Sequence, residues 1–127
     1  MLDGDLSLRL RDAARKGDIE GVRALLESGA DVNAEHTAAL WMAAGAGHIE
    51  TVRLLLERGA DIHAYDDLAL FQAVWYGHAD VVRRLVDAGA DVHAQDGGAL
   101  WTAKLSGHTE IARILVDAGA KEPNDTA

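Results

Sequence analysis

Six histidines are the residues in this chain best suited to chemistry. His48, His78 and His108 recur at intervals of thirty, His63 and His93 do the same, and His36 stands alone. Clustered imidazoles could hold zinc, but zinc requires its ligands to converge at about 2.0–2.1 Å on one centre. Residues repeating at a fixed interval belong to successive copies of one unit, and packed helices lie about 8–10 Å apart. Such a ladder cannot converge, so these histidines are expected to satisfy backbone groups at turns and helix starts. His36 has no companion ligand at helical spacing. No metal site and no cofactor are expected.

Catalytic arrangements meet the same objection. Most of the acidic residues repeat with the interval and read as helix caps and wet faces, whereas a catalytic pair needs a unique place in the sequence. Ser7, Ser28, Ser106 and the threonines are not read as part of a nucleophile–His–Asp arrangement, and the glycines are too isolated to form a phosphate-cradling loop. No catalytic residue is expected, and the chain is read as a non-enzyme.

The interval itself is the strongest signal, because repeat detection decides the fold before any single element does. Residues 31–60, 61–90 and 91–120 align along their length. Gly29, Gly59, Gly89 and Gly119 hold one place in each copy, each followed by Ala, and Gly17, Gly47, Gly77 and Gly107 hold a second. Leu10, Leu40, Leu70 and Leu100 form a third series, and Ala13, Ala43, Ala73 and Ala103 a fourth. Residues 1–30 therefore form a divergent first copy, and four stacked units in one domain are expected, with 121–127 as a polar tail.

Each unit reads as two short helices. In the third, Asp66 and Asp67 are placed to cap a helix beginning near Leu68, with Leu70, Ala73 and Val74 on its buried face. Gly77 stops it, and a second helix follows from about Ala79 to Ala88, buried through Val81, Val82, Leu85 and Val86. The acids Glu20, Glu50, Asp80 and Glu110 fall in the first turns of the second helices, three residues before Arg23, Arg53, Arg83 and Arg113. Between units, Asp31 to Ala34, Asp61 to Ala64 and Asp91 to Ala94 read as short extended links. Helices of about ten residues are too short to be stable alone. Stacking is obligatory, and the result is an all-α helical-hairpin solenoid.

Composition narrows the partners. A formal net charge of −9 opposes binding to a phosphate backbone, so nucleic acid is not expected. The chain has no cysteine, no apolar run approaching the roughly 18 residues of a membrane span, and an acidic start without a signal-peptide core. These features suit an intracellular, cytoplasmic protein that neither crosses nor binds a membrane.

The pattern D-V-x-A, A-L-x-x-A, G-H-x-E-x-V-R-x-L-L-x-x-G-A resembles the ankyrin repeat over nearly the whole chain. Two departures stand out. The period is thirty instead of 33, and Ala38 to Trp41, Leu68 to Phe71 and Gly98 to Trp101 replace the T-P-L-H signature. The shortening falls where ankyrin repeats build a β-hairpin finger, so a shorter loop is expected. The alternative fold is a helical-hairpin solenoid of the TPR or HEAT kind.

Residues that break the period mark the candidate site. At 100° per residue, Gln72, Trp75 and Tyr76 lie about 200°, 140° and 240° from Leu70, on the side away from the core. Their counterparts are Met42, Gly45 and Ala46 in the second unit, and Thr102, Leu105 and Ser106 in the fourth. The ankyrin resemblance implies that this face lines a concave groove bordered by loop tips. Met42, Trp75, Tyr76 and Leu105 are therefore the expected contact surface for a protein partner, rimmed by His36, Tyr65, Asp66, Asp67 and Asp96. The acidic rim suits a partner with basic residues around an apolar anchor. The competing readings are an array, natural or designed, with no dedicated ligand, and a groove for a small apolar molecule.

Trp41, Phe71 and Trp101 are periodic and so read as a row sealing the seams between units. The first unit's polar helix, with Arg9, Arg11, Asp12, Arg15 and Lys16, reads as a cap. The fourth unit is expected to leave Ile111 or Ile114 partly exposed. The protein is expected to be a monomer, with weak self-association through that unit as the other outcome.

Overall fold

Gly17, Gly47, Gly77 and Gly107 all turn the chain at positive φ, between 75° and 81°, a conformation in which a side chain is strained. They divide a computed structural model, which describes residues 3–121, into paired helices. The first members are α1 (Asp3–Lys16), α3 (Ala34–Ala46), α5 (Ala64–Trp75) and α7 (Ala94–Leu105). The second members are α2 (Ile19–Glu27), α4 (Ile49–Glu57), α6 (Ala79–Asp87) and α8 (Thr109–Asp117). First helices stack in one layer and second helices in another, with each pair packed together across the layers. Among the described residues there is no strand, and no helix is long and apolar enough to cross a membrane.

The periodic apolar residues form one continuous core. Leu10, Leu40, Leu70 and Leu100 are buried in the first layer, and Val22, Val52, Val82, Leu55, Leu85 and Leu115 in the second. Removing one such leucine side chain would cost about 2–5 kcal/mol. Alanine or valine at 14, 44 and 74 is fully buried, which lets successive first helices approach closely.

The histidines opening the second helices do not cap them; none of their side chains bonds a helix amide. They reach back across the boundary instead. His48 Nε2 donates to the Arg15 carbonyl at 3.1 Å, and His78 Nε2 to the Gly45 carbonyl at 2.9 Å. A carbonyl only accepts, which fixes the proton on Nε2. The rings of His48, His78 and His108 lie so close to Gly17, Gly47 and Gly77 that a Cβ there would sit within 2.6–2.8 Å of them. Each glycine thus serves both the turn and the imidazole stacked on it.

The links differ from the extended segments expected. Asp31, Asp61 and Asp91 each accept, through Oδ1, the amide two residues on at 2.9 Å, folding the link into a tight turn. The Asp carboxylate that opens each link is in reach of that amide only when the chain turns, so the turn satisfies a backbone group that a lone extended link would leave unpaired. Val92 is buried and Val32 and Ile62 pack against the core, as one inward β-branched residue per link requires.

No hairpin finger follows. Residues 35–37, 65–67 and 95–97 each form one left-handed turn, with φ between 54° and 62° at every residue except Gly97. Each non-glycine residue so placed costs about 1–2 kcal/mol, so neighbouring contacts must offset the strain. The right-handed helices proper start at 38, 68 and 98.

Asp66 and Asp67 are correspondingly not helix caps. Asp66 Oδ2 accepts the Gln95 amide at 2.8 Å, and Asp67 Oδ2 accepts the Asp91 amide at 2.7 Å, both in the next unit. At the fourth unit Ile111 and Ile114 are buried, and Val116, Trp101 and Leu105 are the exposed apolar side chains instead. Of the polar tail only Lys121 falls within the described residues.

Candidate partner-binding groove

Small residues make the groove. Gly45 and Ala46 occupy the places held by Arg15 and Lys16 in the first unit and by Trp75 and Tyr76 in the third. A dip therefore lies between two raised walls. Arg15, Trp41, Met42, Gly45, Ala46, Gln72 and Tyr76 line it. Tyr76 Cδ2 and the Gln72 Cβ each come within about 3.5 Å of where a Gly45 side chain would begin, so an alanine there would make ordinary van der Waals contact with both and begin to fill the dip.

Trp75 and Tyr76 are 54% and 60% exposed, and Leu105, one unit on, is 70% exposed. The Trp75 ring rests against Phe71 with centroids 6.0 Å apart, which holds it upright at the end of α5. Met42 is half-buried in the groove. Thr102, the fourth-unit counterpart of Gln72, is buried and leaves the surface.

The tips form a joined ridge. Arg11 bonds Glu35 at 3.0 Å, His36 stacks on Tyr65 with centroids 4.5 Å apart, and Gln95 Nε2 donates to the Tyr65 and Asp66 carbonyls at 3.2 and 2.9 Å. His36, Tyr65, Asp66 and Asp96 are exposed on it. Asp67 is not. It is 4% exposed, and its carboxylate is held by the Asp91 amide and by His63 Nδ1 at 3.0 Å. A buried carboxylate already engaged by a backbone amide and an imidazole is withdrawn from any rim. That hydrogen bond raises the His63 pKa above its ordinary value of 6.5, against a lowering by burial and with help from the charges of Asp67, Asp61 and Asp91. On α1, Asp12 is held below the usual carboxylate range by Arg15 and Lys16. The Arg15 charge at the groove wall is thereby partly answered within the chain.

The aromatic row divides. Trp41 and Phe71 are half-buried, and the Phe71 ring lies 3.6 Å from where a side chain at Gly98 of the next unit would begin. Trp101, with no unit beyond it among the described residues, is 54% exposed. The row seals seams only where there is a following unit to seal against. Trp41 Nε1 is buried without a hydrogen-bond partner among the described residues, so its indole is placed for packing and not for its donor.

The sequence places Gln72 on the exposed face, but the expected contact surface left out Gln72, Arg15 and Trp41, all of which line the groove. The readable signal was the step from Arg15-Lys16 to Gly45-Ala46 to Trp75-Tyr76 at one repeat position.

Together these features define a helical repeat solenoid with a groove across its first helices; among the described residues no group of three or more His, Asp or Glu is placed to hold a metal ion. A family model described as ankyrin repeats (3 copies) matches residues 10–96, and the chain belongs to the ankyrin repeat family. No curated protein matches the chain. Ankyrin repeats are in general protein-interaction modules and not enzymes.

Proposed function

We propose that this chain binds a protein partner across the first-helix face, from the groove between α3 and α5 to the end of α7, with Met42, Trp75, Tyr76 and Leu105 as apolar anchors. His36, Tyr65, Asp66 and Asp96 form the rim, and no chemical step is involved. The observation that carries this reading is the exposure of Trp75 and Tyr76 side by side on a rigid helix end, where burial of neither is needed for folding. Aromatic residues so placed are the usual hot spots of interfaces. A rigid scaffold also limits the entropy lost on association.

Net charge and the rim acids support a partner carrying lysine or arginine next to an apolar side chain. A guanidinium or ammonium over the Trp75 face gains a further cation–π contribution of about 0.5–2 kcal/mol.

The test is the double substitution Trp75→Ala/Tyr76→Ala. Both side chains are mostly exposed, so the variant should keep the parent's circular dichroism and melt within a few degrees of it. Binding of partners captured from a lysate should weaken by about 100-fold or more, as loss of two hot-spot residues implies. An unchanged dissociation constant would exclude this surface.

A further inference from the structure

The two ends of the array differ from its interior in ways that match each other. At every interior boundary a fully buried apolar residue, Ala14, Ala44 or Val74, lies three residues before the helix-ending glycine, on the side facing the next unit. At the outer face of α7 that place is held by Lys104. From the next unit, His48, His78 or His108 crosses onto the glycine. At the outer face of α2 the histidine's place is held by Asp18. Gly107, the counterpart of the covered glycines, has none of the described residues within 4 Å of where the others carry an imidazole. A cation at one end and a carboxylate at the other thus replace the residue three before the glycine and the histidine that crosses onto that glycine at each interior boundary.

Two further interior contacts carry over by the same step. Phe71 packs against Gly98, and the equivalent pair across the ends is Trp101 and Leu8, which are 54% and 46% exposed. Arg83 bonds Glu110 across a boundary at 3.2 Å, and the equivalent pair is Arg113 and Glu20.

We propose that a second copy of this chain stacks head to tail, its α1–α2 face docking on the α7–α8 face in the register of an interior boundary. Lys104 then meets Asp18 of the following copy, Arg113 meets Glu20, and Trp101 covers Leu8. The contact is heterologous, so it propagates into short open chains and does not close into a symmetric dimer. It is also weak. Ala112 stands where the interior has Val82, and Gly21 and Ala24 stand where it has Ile111 and Ile114, so less apolar surface is covered.

Charge complementation tests this. The weight-average mass of the 127-residue chain, measured by sedimentation or light scattering, should climb above the single-copy 13.5 kDa as concentration rises to about 1 mM. Lys104→Asp and Asp18→Lys should each weaken association by about tenfold or more, because like charges then face each other. Mixing the two variants should recover association, since each supplies the other's complementary end. Asp18 also caps α2 through the Gly21 amide, so circular dichroism must show that variant folded; Lys104→Asp gives the same readout with no cap at stake. A parent that stays at one copy throughout, or a mixture no more associated than either variant alone, overturns the proposal.

Discussion

The amides of Asp61 and Asp91 hold the same place in successive links, yet different chemistry satisfies them. At the first boundary the acceptor is Asn33 Oδ1, 2.8 Å from the Asp61 amide and held by the Thr37 hydroxyl at 3.1 Å. Asn33 Nδ2 also donates to the Gly59 carbonyl at 3.2 Å. At the second boundary the acceptor is Asp67, held by His63. The pairs 33/37 and 63/67 are equivalent positions with exchanged roles: the acceptor moves from the first member to the second. What the array preserves is an acceptor for a link amide, and either of two side chains four residues apart can supply it. The first solution is neutral, while the second titrates. In the last described unit the pair is His93 and Gly97, and glycine supplies neither role.

Several substitutions would break or sharpen this comparison. The largest effect should come from the seam beside the first boundary: Trp41→Ala should lose about 2–3 kcal/mol in urea unfolding, less than the roughly 3–5 kcal/mol of a fully buried aromatic because the ring is only half-buried. Next is Asp67→Ala, which leaves the Asp91 amide unanswered and should lose about 1–3 kcal/mol. A loss below the error of the melt would show that this carboxylate does not hold the boundary. The double substitution His63→Asn/Asp67→Thr transplants the first solution into the second boundary and should restore stability to within about 1 kcal/mol of the parent.

The titrating pair gives a smaller, signed effect. Because the folded His63 pKa is raised above 6.5, its contribution is fully present below that value and is lost as pH rises through the raised folded pKa. Parent stability should therefore fall slightly over that window, and the transplanted variant should lose this component; equal pH profiles for the two would refute the assignment. The smallest change should be at the open end, where Trp101→Ala should shift stability by less than about 1 kcal/mol, since its ring covers no following unit.

Much of the array was legible because a period of thirty needs no tertiary information. The glycine turns, the buried Leu70, Ala73 and Val82, the restart of α6 at Ala79 and the ankyrin membership all follow from residues recurring at fixed positions. The exposed face was legible for Trp75, Tyr76 and Leu105, where helical geometry alone decides orientation. It failed for Asp67 and Thr102. Whether Asp67 at its turn faces water or the amide of Asp91 depends on the next unit, which local angles do not contain, and nothing in the structure explains the burial of Thr102 inside α7.

The sequence by itself determined that short amphipathic hairpins must stack, since neither helix of a pair can bury its stripe alone. It also determined which positions depart from the pattern and so can recognise something. Only the tertiary structure decided where the polar groups are used: histidines carried across boundaries to carbonyls, Asp67 drawn into the stack, and Gly45 opened into a groove by the walls on either side. These are contacts between residues about thirty positions apart, and their partners are fixed by how one unit seats on the next.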